Sequence, residues 1–198
     1  MERIITQIVH NCLKKDLLTE EEAPWLQYAL EKRISTTLTS IPFILLAIYL
    51  TAPIIGLSMI LSFFYLRTYT SGYHANSILG CFVLSILYEL VFTTLFIPLL
   101  TNISALIIST LSCVILLKFA PYRHPKMSLS DSEYLACSNQ SRKRVLVILG
   151  ISLVCYVLSV ESILIGCTTG MTMATILLLC AYIIDERRKH NEKNTQPH

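Results

Sequence analysis

The chain has 198 residues; 54% are apolar, only 15% are Asp, Glu, Lys or Arg, and the net charge is +3. Soluble domains carry about 25% charged residues, so this composition excludes an ordinary soluble fold. It points to an integral membrane protein built as one domain, 1–198, with no room for a separate soluble unit. The first residues are not expected to be a secretory signal, because Glu2, Lys14, Lys15, Asp16 and Glu20 break up any apolar run there.

In chain order, residues 1–18 come first. Ile4, Ile5, Ile8, Val9, Cys12 and Leu13 recur at helical spacing, while Arg3, Gln7, His10 and Lys14 fill the other side. Such an amphipathic helix lies in the membrane interface or packs on the protein's own surface; periodicity leaves both open. Thr19-Glu20-Glu21-Glu22 fits a capping box and predicts a helix start. Trp25 and Tyr28 suit the headgroup region.

Six apolar segments follow, at about 34–52, 53–66, 77–100, 103–120, 145–166 and 168–184. A helix needs roughly 20 residues to cross a bilayer, so the 14-residue segment 53–66 is short and is expected to be a half-depth helix or part of a loop. Pro42 falls inside the first segment, Glu89 inside the third and Glu161 inside the fifth. Carboxylates at membrane depth are costly, so both acids are expected to be paired or protonated. The expected fold class is therefore all-α. It is a polytopic helix bundle of about six membrane segments, one short, preceded by an N-terminal amphipathic interfacial helix.

The basic residues orient this layout. All 16 Lys and Arg fall on the N-terminal flank, at 67–76, at 118–144 or in the tail from 185 to 198. None falls near 53, 101–102 or 167–168. The positive-inside rule then places both termini, a cytoplasmic loop at 119–144 and a cytoplasmic tail at 185–198 on one side. The expected location is a membrane that the chain crosses several times. The seven cysteines (12, 81, 113, 137, 155, 167 and 180) form no CxxC pair and no metal-ligand spacing, so no metal or other cofactor is expected. No nucleic-acid partner is expected either.

The stretch RTYTSGYHANSILGC, 67–81, stands out at a predicted membrane edge. On one continuous helix His74 and Cys81 would lie about 10.5 Å apart along the axis, too far for a thiol–imidazole hydrogen bond. Gly72 permits a bend and Asn76 or Ser77 can cap a new helix, which places Cys81 near a helix N-terminus and His74 on a loop that can fold over it. The helix dipole and a neighbouring imidazolium both favour a thiolate. A Cys–His pair is the minimal equipment for acyl transfer. The plainer alternative is a buried cysteine and an interfacial histidine.

This block resembles the signature of the accessory gene regulator B (AgrB) family of bacterial membrane cysteine endopeptidases: Arg67, then Gly72-x-His74-Ala75, then Cys81 seven residues after the histidine. Ser71 stands where the family often has a first glycine, a departure that touches loop flexibility. Tyr28-Ala29-Leu30-Glu31 and FAPYRHPKM at 119–127 are also similar to family motifs, with Lys126-Met127 departing from the usual Lys-Pro. The resemblance implies a membrane-embedded enzyme that cuts a small AgrD-like propeptide. It further implies that the enzyme holds the new carboxyl end on Cys81 as a thioester and releases a thiolactone or lactone quorum-sensing peptide. Cys81 and His74 would be catalytic, with Arg67, Gly72 and Ser71 supporting or binding substrate. Arg67 has a second reading as a topology anchor. His124 reads as a solvated loop residue, and Arg142-Lys143-Arg144 as a topology signal that could also attract an acidic peptide tail or anionic lipid.

The expected partners are the propeptide, the lipid bilayer and a second copy of the chain. The homodimer is inferred from small and polar residues in the spans, namely Thr36, Thr37, Ser85, Ser109, Ser112 and Ser152. The competing function is a small exporter of peptide without proteolysis, for which Glu89 and Glu161 would be the evidence. A non-catalytic scaffold leaves 67–81 without a role.

Overall fold

The computed structural model describes residues 2–15, 17–19, 21–70, 78–122 and 131–195. Among these the chain is all helical, with seven α-helices. They are α1 (Glu2–Lys14), α2 (Ala23–Leu50), α3 (Pro53–Thr70), α4 (Ile78–Val91), α5 (Asn102–Phe119), α6 (Asp131–Val157) and α7 (Glu161–Thr195). A π-helical turn, Phe92–Phe96, and a 3-10 turn, Ile97–Leu99, prolong α4. Three apolar stretches are long enough to cross a membrane: Phe82–Leu99, Asn102–Phe119 and Glu161–Arg187. The other three predicted segments also fall on helices, α2, α3 and α6.

Large apolar side chains face outward as well as into the core, and hydroxyls share the interior. Leu57, Leu61, Leu95, Ile107, Leu111 and Val154 point outward, whereas Ser62, Ser109, Ser112, Ser152, Thr168 and Thr175 are buried. Lipid is as apolar as leucine, so membrane helices associate through close packing of small residues and shared hydroxyls. Several of the buried hydroxyls satisfy themselves on the preceding turn. Ser62 donates to the Ser58 carbonyl at 2.6 Å, Ser152 to Ile148 at 3.0 Å and Thr175 to Met171 at 2.9 Å.

The tightest seam joins α3 to α7. Gly166 and Gly170, four residues apart on α7, face Ile55, Ser58, Met59 and Ser62 of α3, and a Cβ on either glycine would collide with α3 backbone. Matching residues rise together along both helices, so α3 and α7 run parallel. α5 joins them in the same direction: Thr168 Oγ1 donates to the Ala105 carbonyl at 3.2 Å, and Ser109 and Ser112 approach Met171 and Thr172. Three tight connections therefore share one end of the bundle, at 51–52, 100–101 and 158–160. None of them carries a Lys or Arg. The opposite end carries Arg67, Lys118, Arg142, Lys143, Arg144 and Arg187.

Four expectations change. The short second segment extends into an 18-residue helix, about 27 Å long; its polar last turn, Arg67 to Thr70, continues the helix where hydropathy suggested a loop. The break between the last two segments lies at 158–160, not 167–168. Ser159 there has a positive φ of 56°, and Glu161 opens α7 in the first turn, where an acid complements the helix dipole. Glu161 is thus exposed at the helix start and accepts a hydrogen bond from Asn102 Nδ2 at 2.5 Å. It stands at the end of an apolar helix and not in the middle of one, which weakens it as evidence for an exporter. Finally, 131–144 is the polar first half of α6 and not part of a loop, and the tail is helical to Thr195.

At the start, Ile5 and Val9 of α1 are buried against α2, so the apolar stripe is used within the chain, while Ile8 and Leu17 remain exposed. The Thr19 capping box forms in part: Glu22 Oε2 accepts from Thr19 N at 3.1 Å and from Thr19 Oγ1 at 2.8 Å. These bonds hold the Glu22 carboxyl below the usual carboxylate range. Pro42 sits inside α2 as expected.

Candidate catalytic site

The site is approached from the basic end, where α3 stops and α4 begins. Thr70 closes α3 and is buried. Its carbonyl accepts a hydrogen bond from Tyr122 N at 3.2 Å. Tyr122 belongs to the FAPY corner that follows α5, and its ring meets Tyr182 of α7 edge-on at 5.1 Å. The Tyr182 hydroxyl in turn donates to the Phe119 carbonyl at 3.0 Å, and the Tyr134 hydroxyl of α6 to the Pro121 carbonyl at 3.3 Å. An aromatic corner thus fixes the point at which the chain leaves α3.

Arg67 lies in the last turn of α3 and is half-buried. The Tyr88 phenol of α4 lies within electrostatic reach of Arg67 and, separately, of the Cys180 thiol of α7. Tyr88 donates to the Met173 carbonyl of α7 at 2.8 Å and its ring lies 4.8 Å from that of Phe92. This bond fixes the height of α4 against α7.

Cys81 is the fourth described residue of α4; the helix start expected from Asn76 and Ser77 lies outside the described residues. Tyr88 is seven residues further on and shares its helical face, about 10.5 Å along the axis. The Cys81 side chain, His74, Gly72, Ser71 and His124 lie outside the described residues. Of the predicted site residues the structure therefore places two, Arg67 and the backbone of Cys81, at one end of the bundle.

Glu89, the remaining acid at depth, is fully buried, and neither carboxyl oxygen has a partner among the described residues. Of the two expected states, paired or protonated, the pairing is not seen among the described residues and the protonated form remains. Ser109, Ser112 and Ser152, which suggested a dimer, are occupied within the chain. Among the described residues no cluster of His, Cys, Asp and Glu could hold a metal ion.

Sequence reasoning missed Tyr88, Tyr182 and the corner at 120–122 as positioning elements. The aromatic content of FAPY was the available signal. The basic cluster also divides: Arg142 and Lys143 are exposed, whereas Arg144 reaches back to α3.

Comparison with known proteins returns one family. The family model described as Accessory gene regulator B matches residues 1–184. No curated protein and no solved structure matches the chain.

Proposed function

The chain belongs to the accessory gene regulator B family, which places it among the membrane proteins that process quorum-sensing propeptides of the AgrD type; from that premise we propose that it is a cysteine endopeptidase and peptide cyclase. The observation that carries this reading is that the backbone of Cys81, near the described beginning of α4, lies at the same end of the bundle as Arg67.

The helix N-terminus favours negative charge on the sulfur. His74 takes the thiol proton as the Cys81 sulfur attacks the scissile carbonyl. The C–N bond then breaks, and the same proton passes to the leaving amine. The peptide's new carboxyl end remains as a thioester on Cys81. A thiol or hydroxyl within the bound peptide attacks that carbonyl, the enzyme C–S bond breaks, and a ring closes as Cys81 is released. Exchange of one thioester for another is close to isoenergetic, so the enzyme has mainly to hold the nucleophile near the acyl carbon and exclude water. Positioning of this kind lowers a barrier by several kcal/mol. Arg67 offers a planar fork of donors suited to a substrate carboxylate or carbonyl. Ser71 and Gly72 have supporting or substrate-binding roles in this reading. In this account both termini and the site face the cytoplasm of a bacterial cell, and the chain works as a homodimer.

Co-expression with its propeptide tests the proposal, with cleavage followed by mass spectrometry. Cys81→Ala and His74→Ala are each expected to abolish cleavage while the protein still inserts into the membrane. Cleavage that persists in Cys81→Ala removes the nucleophile assignment, and export of uncut peptide by the wild type would favour a transporter.

A further inference from the structure

Arg144 stands apart from the catalytic block. Its guanidinium carbon lies 4.4 Å from the ring centroid of Tyr65 and 4.1 Å from that of Tyr69, and Nη1 donates to the Tyr65 carbonyl at 2.7 Å. A guanidinium has five donors; the others meet no acceptor among the described residues. A long side chain is thus held still with most of its hydrogen-bonding edge unused, so an anion arriving there would lose little conformational freedom.

The surroundings indicate what kind of anion fits. Tyr65 is exposed, and Leu61 and Leu57 continue its face of α3 at four-residue spacing toward the charge-free end, 61% and 52% exposed. From Arg144 to the end of α6 at Val157 is about 20 Å of helix, less than the roughly 30 Å of bilayer hydrocarbon. An apolar track two turns long that ends on a fixed cation matches an amphiphile with an anionic head. Arg142 and Lys143, both exposed just before Arg144, would repel the ammonium group of a zwitterionic lipid.

We propose that Arg144, held by Tyr65 and Tyr69, binds the phosphodiester headgroup of an anionic phospholipid whose acyl chain lies along Leu61 and Leu57. The site joins α3 to α6 on the face away from Arg67 and does not depend on the catalytic reading. Native mass spectrometry of the full chain in detergent, titrated with phosphatidylglycerol or phosphatidylcholine, tests it. The wild type is expected to retain phosphatidylglycerol roughly tenfold more strongly, the size of one charged hydrogen bond. Arg144→Ala should remove that preference. Arg144→Lys, which keeps the charge and spares the fold but lacks the planar fork, should lose most of it, with helicity by circular dichroism unchanged. Soluble glycerophosphate should not displace the lipid. Equal retention of both lipids by the wild type, undiminished preference in both variants, or displacement by glycerophosphate would each overturn the proposal.

Discussion

Gly170→Ala probes the seam on which the bundle is built. A Cβ at this position would stand 2.5 Å from the Met59 carbonyl oxygen and 2.9 Å from Phe63 N, and would also meet Ser62 Oγ. The serine hydroxyl can rotate away, but the two backbone atoms move only if α3 moves. Ordinary contact begins near 3.4 Å, so the helices must part by close to 1 Å along their longest interface. Overpacking costs about 1–3 kcal/mol, and a rigid backbone neighbour puts this case at the upper end. Replacing glycine by alanine inside a helix returns about 1 kcal/mol, leaving a net loss of about 2 kcal/mol. Gly150 of α6 is the control. A Cβ there meets nothing within 4 Å, so Gly150→Ala keeps only the gain, up to about 1 kcal/mol. Thermal unfolding in detergent, read by circular dichroism or by labelling of the buried thiols Cys113 and Cys167, should therefore move in opposite directions. With about 2–4 °C per kcal/mol for a chain of this size, Gly170→Ala should fall by roughly 4–8 °C and Gly150→Ala rise by roughly 2–4 °C. A Gly170→Ala protein as stable as the wild type would refute the close approach of α3 and α7.

Three further outcomes follow from single contacts. Tyr88→Phe removes the bond to the Met173 carbonyl and should cost about 0.5–1.5 kcal/mol, measured in the same unfolding assay. Glu89→Leu replaces a buried carboxyl without a partner among the described residues; removing such a group should stabilise the bundle by about 1–3 kcal/mol, and a loss of stability would reveal a partner. Thr19→Val deletes the side-chain bond to Glu22. Because the wild-type carboxyl titrates below the usual range, its contribution to stability is present above that range and fades as pH falls through the lowered value. NMR titration of the variant should show Glu22 moving up toward the ordinary carboxylate value.

Where sequence and structure agree, one physical signal dominates. α5 was legible within a residue at each end because a clean apolar run meets Thr101, whose hydroxyl pairs with Ser104 in a full capping box. The break between α6 and α7 was not, because 145–184 is apolar almost throughout and Gly166-Cys-Thr-Thr-Gly170 looks like a turn. Those glycines serve instead to bring two helices together, which only the α3 partner reveals. The polar half of α6 escaped because hydropathy sees the buried part of a helix and not its extension beyond the membrane. The Arg144 contact joins residues 79 apart in sequence, and the Tyr122–Thr70 bond is equally non-local, so local pattern could show neither. At the candidate site the proposed chemistry rests on the motif, through the spacing of His74 and Cys81, whereas the elements that hold Arg67 and the backbone of Cys81 at a common end are properties of the assembled bundle.

The most direct measurement is the mass of the protein trapped during turnover. Incubated with its propeptide and quenched in acid, the wild-type chain should gain the mass of the peptide fragment upstream of the cut, less one water. The adduct should map to Cys81, be released by neutral hydroxylamine and be missing from Cys81→Ala. Active cleavage with no such adduct, or an adduct on another cysteine, would contradict the account.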